Sequence, residues 1–221
     1  MSFEDPPFVE FIKNVFSTNN QNYDDILMKL DKQLNWEMQE TSHFYYYICQ
    51  PDNPKAREEI QVVGITAIIE RLMSKEKHIT PFAYLRSIRF DNLSGNLNKI
   101  EGDYNNQFGL TRKVNDYYKN YILDLDKQQL IDGIVLLDKL DGDEIKLKNI
   151  GEFSKLLYEL RSKFVHEASM FGLCPLGIDY TVYCSGVHDP ILYSPKINIK
   201  PLLKIFERSF VNYWNKVSQR A

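Results

Sequence analysis

Three cysteines, Cys49, Cys174 and Cys184, are too few and too odd in number for a disulfide framework in 221 residues. They read as free thiols in a reducing compartment, so the expected location is cytoplasmic. No apolar run reaches the roughly 18 residues of a transmembrane helix, and no membrane partner is expected. The opening stretch MSFEDPPFVEFIKNVF is acidic early and broken by Pro6 and Pro7, unlike a secretory signal. There is no G-x-x-x-x-G-K-[ST] phosphate loop, no G-x-G-x-x-G loop and no G-x-S-x-G elbow, which removes three common enzyme classes. Positive charge is not in excess either. With a net charge of −3, any RNA contact has to be local, in a cleft or along one face.

What is present is the composition of one ordinary folded domain: 43% hydrophobic and 26% charged residues, without repeats or low-complexity tracts. Asp5-Pro6-Pro7 starts a first helix, whose apolar face is Phe8, Phe11, Ile12, Val15 and Phe16. After the polar break at 17–22, the spacing of Tyr23, Ile26, Leu27, Leu30 and Leu34 predicts a second helix. Residues Trp36 to Cys49 fit helix or strand, and helix is the preferred reading. The turn PDNP at 51–54 ends it. Glu58 to Met73 is apolar around nearly its whole circumference, which predicts a central helix touched on several sides. Glu70 near its end then needs a partner.

Farther on, 74–110 reads as loop, a mixed segment and Asn- and Gly-rich connections. Helices are expected over Arg112–Leu123 and Gln128–Leu140, the latter capped by Asp126, with LDGDEIK as a turn. A small β-hairpin is expected at about 179–194 and a last helix at about 199–217, with Pro201 in its first turn. The predicted fold is mainly α: an up-and-down helical bundle with extra N-terminal helices and a C-terminal hairpin before the last helix.

The stretch that organises this chain is NIGEFSKLLYELRSKFVHEAS, residues 149–169. Asn149 and Glu152 form a capping-box pattern, and Phe153, Leu156, Leu157, Leu160, Phe164 and Ala168 make a core face. At about 100° per residue, Tyr158, Arg161, Ser162, Val165 and His166 fall on a second strip. A guanidinium and an imidazole together suit metal-free phosphodiester chemistry. The guanidinium offsets charge building on the phosphate oxygens, and the imidazole moves a proton near neutral pH. RNA carries its own nucleophile in the ribose 2′-OH, so no metal or cofactor is called for. A second proton-transfer group is needed, and a two-fold dimer can supply it. The R-x4-H spacing alone is weak evidence, expected about 0.4 times by chance in a chain of this composition. Arg71 and His78 match the looser R-x6-H spacing but run off a helix end.

Residues 157–168, LYELRSKFVHEA, resemble the signature helix of the HEPN superfamily, in which a polar residue follows an arginine and a histidine comes four to six residues after that arginine. VVGITAIIERLM, residues 62–73, is similar to the buried upstream helix of that family, where an acidic residue follows a small-apolar run. The likeness covers about a quarter of the chain. It implies a four-to-five-helix core, a homodimer across the motif helices and, in many members, metal-independent endoribonuclease activity on RNA in toxin–antitoxin or antiviral defence. An antitoxin or other regulatory partner is a further implication, and a non-catalytic dimerisation or nucleotide- or protein-binding module is the alternative. The resemblance assigns Arg161 to the phosphate, His166 to acid–base work and Ser162 to a supporting position beside Tyr158. Glu70 would orient or neutralise Arg161. Glu167 departs from the small residue that many members carry after the histidine.

Other groupings are weaker. Cys174, Cys184 and His188 have irregular spacing for zinc and lack a fourth ligand. Asp124/Asp126 and Asp138/Asp141/Asp143 read as caps and turns, not as a calcium loop. Tyr45, Tyr46, Tyr47, Tyr117 and Tyr118 have the chemistry to stack on bases, though core packing is their commoner use. Lys113 and Lys119 are too few to make an RNA groove.

Overall fold

The computed structural model describes residues 5–49, 58–76, 81–87, 97–132, 134–138, 144–167, 183–185, 191–197 and 199–221. The chain is mainly helical, as its apolar periodicity requires. Helix α1 (Pro6–Thr18) begins with proline in its first turn after Asp5, and buries Phe8, Ile12, Val15 and Phe16. The second helix divides in two. Asn22 caps α2 (Tyr23–Lys29) by accepting from the Asp24 and Asp25 amides. Asp31 then accepts from the Gln33 and Leu34 amides at 2.9 and 2.8 Å and starts α3 (Lys32–Cys49). Leu34 therefore belongs to α3: a side-chain cap placed mid-pattern ends one helix and begins the next.

Helix α4 (Glu58–Glu76) lies against α3, α7 (Leu110–Tyr121), α9 (Ile150–Glu167) and α10 (Ile199–Ser218). Val62, Ile65, Ile68, Ile69, Leu72 and Met73 are buried around it, so the all-round apolar pattern is met by neighbours on several sides. On α10, Leu202, Leu203, Phe206, Phe210 and Trp214 complete the same core. Tyr117 of α7 packs against Phe206 and Tyr213, and its hydroxyl lies 3.1 Å from Ser209 Oγ.

Four expectations are corrected. Residues 97–108, read as connection, form α6 (Leu97–Phe108), which packs on α7; Tyr84 of α5 (Pro81–Ser87) meets its Tyr104 and Phe108 rings. The helix expected over Gln128–Leu140 is α8 (Asp124–Asp132), and Ile134–Asp138 is strand β1. The run IVLLD opens with two β-branched residues and is apolar over its first four, and such a short run does not distinguish strand from buried helix by period alone. Asp126 is no cap. It is buried inside α8 and paired with Arg208, whose Nε and terminal nitrogen donate to its two oxygens at 2.9 and 2.6 Å. Within LDGDEIK, Glu144–Lys146 is strand β2, not turn.

Strands β3 (Tyr183–Ser185) and β4 (Ile191–Ile197) join β1 and β2 in an antiparallel sheet of order β2-β1-β4-β3. Its register pairs Leu136 with Ile145 and Pro195, and Cys184 with Leu192. Residues 179–182 and 186–190 of the expected hairpin lie outside the described residues. No helix among the described residues is long and apolar enough to cross a membrane.

Candidate functional site

Helix α9 is fixed at its start by the side chains expected there. Asn149 Oδ1 accepts from the Glu152 amide at 3.1 Å, and Glu152 Oε2 accepts from the Lys148 amide at 2.8 Å. The return bond reaches one residue before the cap, but it satisfies the same class of unpaired amide. Beyond the cap, Phe153, Leu156, Leu157 and Leu160 are buried, and the Phe153 ring meets Tyr118 of α7 edge-on at 5.1 Å. With that face locked in the core, Tyr158, Arg161 and Ser162 come round on the other side and are half-buried. The rotation of α9, and hence the direction of Arg161, follows from where its leucines lie.

Arg161 meets Glu70 of α4. One terminal guanidinium nitrogen donates to Glu70 Oε2 at 3.2 Å, and the side chains keep 23% and 36% of their surface exposed. Two residues 91 positions apart, each singled out in the sequence, are thus brought together. The contact is a single hydrogen bond through one nitrogen, which leaves the flat guanidinium with donors to spend elsewhere. Glu70 has a neighbour on its own helix. Ser74, one turn on, donates from Oγ to the Glu70 carbonyl at 2.6 Å and accepts from Lys113 Nζ at 2.9 Å. Lys113, set aside in the sequence as one of too few lysines, therefore sits a helical turn of α4 away from Glu70. Its signal in the sequence was weak: Asp116, three residues on, offers it an ordinary local ion pair, yet Arg112 takes that carboxylate at 3.0 Å.

His166 stands five residues after Arg161 on α9, about 7.5 Å farther along the axis. It is the penultimate residue of the helix, which ends at Glu167. Residues 168–169 of the expected helix lie outside the described residues, as do Cys174, His188, His78, Asp141 and Asp143. The zinc grouping of Cys174, Cys184 and His188 consequently has only Cys184, on β3, within the described fold. Among the described residues no cluster of three or more His, Cys, Asp or Glu side chains has a metal-holding arrangement.

The remaining candidates take structural roles. Tyr45, Tyr117 and Tyr118 are fully buried and Tyr46 is half-buried, which puts three of the five tyrosines out of reach of a base; only Tyr47 is largely exposed. Asp124 lies in the first turn of α8 and accepts from Lys127 Nζ at 2.9 Å. Arg71, next to Glu70, turns the other way and pairs with Glu37 and Glu40 of α3.

Compared with protein-family models, with curated proteins and with solved structures, the chain matches none.

Proposed function

We propose that this protein is a metal-independent endoribonuclease of the HEPN type, working as a homodimer in which the α9 motif faces form a shared cleft. The observation that carries this reading is the Arg161–Glu70 contact. It joins the two helices on which the resemblance rests, and it leaves the arginine partly open to solvent. A guanidinium held from one side by a carboxylate is positioned but not consumed, and its remaining donors suit a phosphate.

The chemistry follows from the residue types. The ribose 2′-oxygen attacks the adjacent phosphorus as a base removes its proton. The bond from phosphorus to the 5′-oxygen breaks as an acid protonates that leaving oxygen. Arg161 stabilises the extra negative charge on the phosphoryl oxygens, a contribution of several kcal/mol when such donors are preorganised (about 2.7–4 for a single one). His166 of one subunit takes one proton transfer and His166 of the other takes the second. Ser162 and Tyr158 border the cleft and hold the RNA backbone. A toxin or antiviral-defence setting, with an antitoxin or other restraining partner, is the context that the family resemblance suggests.

The test is to incubate the purified protein with mixed RNAs in excess chelator and to analyse the new ends. The expected products carry a 2′,3′-cyclic phosphate and a 5′-hydroxyl. Arg161→Ala and His166→Ala each abolish cleavage while the far-ultraviolet circular dichroism is retained. Cleavage that persists in both variants, or that needs a divalent metal, overturns the proposal.

The same ion pair also favours a second reading, a non-catalytic module in which Arg161 and Glu70 are simply a structural link between α9 and α4. In that case the chain dimerises or binds a nucleotide or protein and leaves RNA intact.

A further inference from the structure

Glu70 and Arg71 leave α4 on different sides, and the side that Arg71 takes opens into a cavity of about 470 Å³ between α3 and α4. That volume lies within the range of sites for small organic molecules. Its walls are mostly apolar: Phe44, Tyr47, Ile48, Ala67 and Ile68. Phe44 and Tyr47 are large rings, yet they remain 43% and 48% exposed. Tyr47 is not loose, because it packs edge-on against His43 at 4.7 Å and against Tyr46 at 5.0 Å. His43 is in turn buried against Phe8 of α1. The Tyr47 ring is therefore held at the cavity by the core behind it.

The polar wall decides what kind of molecule fits. Arg71 forms an ion pair with Glu40 and lies 3.7 Å from Glu37, whose side chain is only 3% exposed. Arg71 thus stands between two carboxylates, its one positive charge already engaged by both. Glu40 lines the cavity and is itself well exposed. Aromatic faces attract cations through their quadrupoles, and a nearby carboxylate adds to the same preference. An anion would have to displace Glu40 from Arg71 before gaining anything.

We infer that the α3–α4 cavity is a binding site for an organic cation with an apolar or aromatic body, its charge held among Tyr47, Phe44 and Glu40. The site is separate from the Arg161–Glu70 pair and does not depend on the nuclease proposal.

The experiment is calorimetric titration of the full chain with three probes of similar shape: benzyltrimethylammonium, benzyl alcohol and phenylacetate. The cation binds about tenfold more tightly than the neutral alcohol, and phenylacetate binds least. Tyr47→Ala and Glu40→Gln each weaken the cation about five- to tenfold, and Glu40→Gln improves phenylacetate by releasing Arg71. Thermal melts of both variants establish that they fold. The inference is overturned if the cation does not bind at millimolar concentration, if the alcohol or the anion binds as well as it does, or if both folded variants bind the cation like the parent.

Discussion

Replacing Arg161 with alanine separates a functional arginine from a structural one, and the structure sets the size of the effect. The contact to Glu70 is one hydrogen bond of 3.2 Å between side chains that are 23% and 36% exposed. Pairs this open to water are worth about 0–1 kcal/mol, because water competes for both groups and two long side chains must be held still. Glu70 left alone keeps access to solvent, so no fully buried charge is stranded. Arg161→Ala is therefore expected to lose no more than about 1 kcal/mol, or about 2–4 °C in melting temperature for a domain of this size. Glu70→Gln should behave alike, and a double-mutant cycle should return a coupling of about 0.2–1 kcal/mol. Urea unfolding followed by circular dichroism, with Trp214 fluorescence as a second probe, measures all four proteins. A loss of about 3 kcal/mol or more in either single variant, the range of a truly buried pair broken from one side, refutes the reasoning. It would mean that Arg161 is consumed by the fold, and the non-catalytic reading would gain.

Asp126 provides the contrasting case, since its side chain is only 6% exposed and accepts both bonds from Arg208. Arg208→Ala strands that carboxylate and is expected to cost about 3–5 kcal/mol, whereas Asp126→Ala leaves an arginine that reaches solvent and costs less, about 2–3 kcal/mol; equal effects in urea unfolding would contradict this geometry. Glu207 tests a pH effect of the less usual sign. Burial raises its carboxyl above the ordinary value of 4.5, and the Tyr45 hydroxyl that donates to it at 3.0 Å only partly opposes the shift. The folded protein then holds this proton more tightly than the unfolded chain. The associated stability is present below pH 4.5 and is lost as pH rises through the folded value. Glu207→Gln should flatten that decline and be no less stable than the parent at pH 7, as read from urea unfolding between pH 4 and 8.

Much of the helical framework was legible because its signals are redundant. Helix α4 has apolar residues in almost every direction, and four other helices contact it. Helix α9 has both a cap and a clean leucine stripe, so its rotation, and with it the direction of Arg161, could be read from period alone. The Glu70–Arg161 pairing came from the resemblance together with the principle that a carboxylate beside a core needs a partner. Where signals were ambiguous, the reading failed for identifiable reasons. IVLLD has no period to separate strand from helix, and it forms β1 because β2 and β4 are available to pair with it. LNKIEGDYNNQF looks like a connection because Gly102 and its asparagines are poor helix formers, yet α6 forms where α7 receives it.

The site shows the same division. Lys113 reaches Ser74, one turn from Glu70 on α4, through packing between helices distant in sequence, and no local pattern encodes that contact. The α3–α4 cavity was hidden for a related reason. Glu37 and Glu40 are three residues apart on one helix face and read as ordinary surface acids until Arg71 is placed against them. Asp126 was mistaken for a cap because aspartate near a helix start usually is one; its true partner is 82 residues away.

The most direct measurement of the central claim is the rate of RNA cleavage in EDTA by the parent and by His166→Ala, at matched folded concentration. A drop of at least about a hundredfold in the variant, from a parent that cleaves without metal, is the expected result for loss of a general acid–base group. Equal rates in the two proteins, or a parent that leaves RNA intact, would contradict the account.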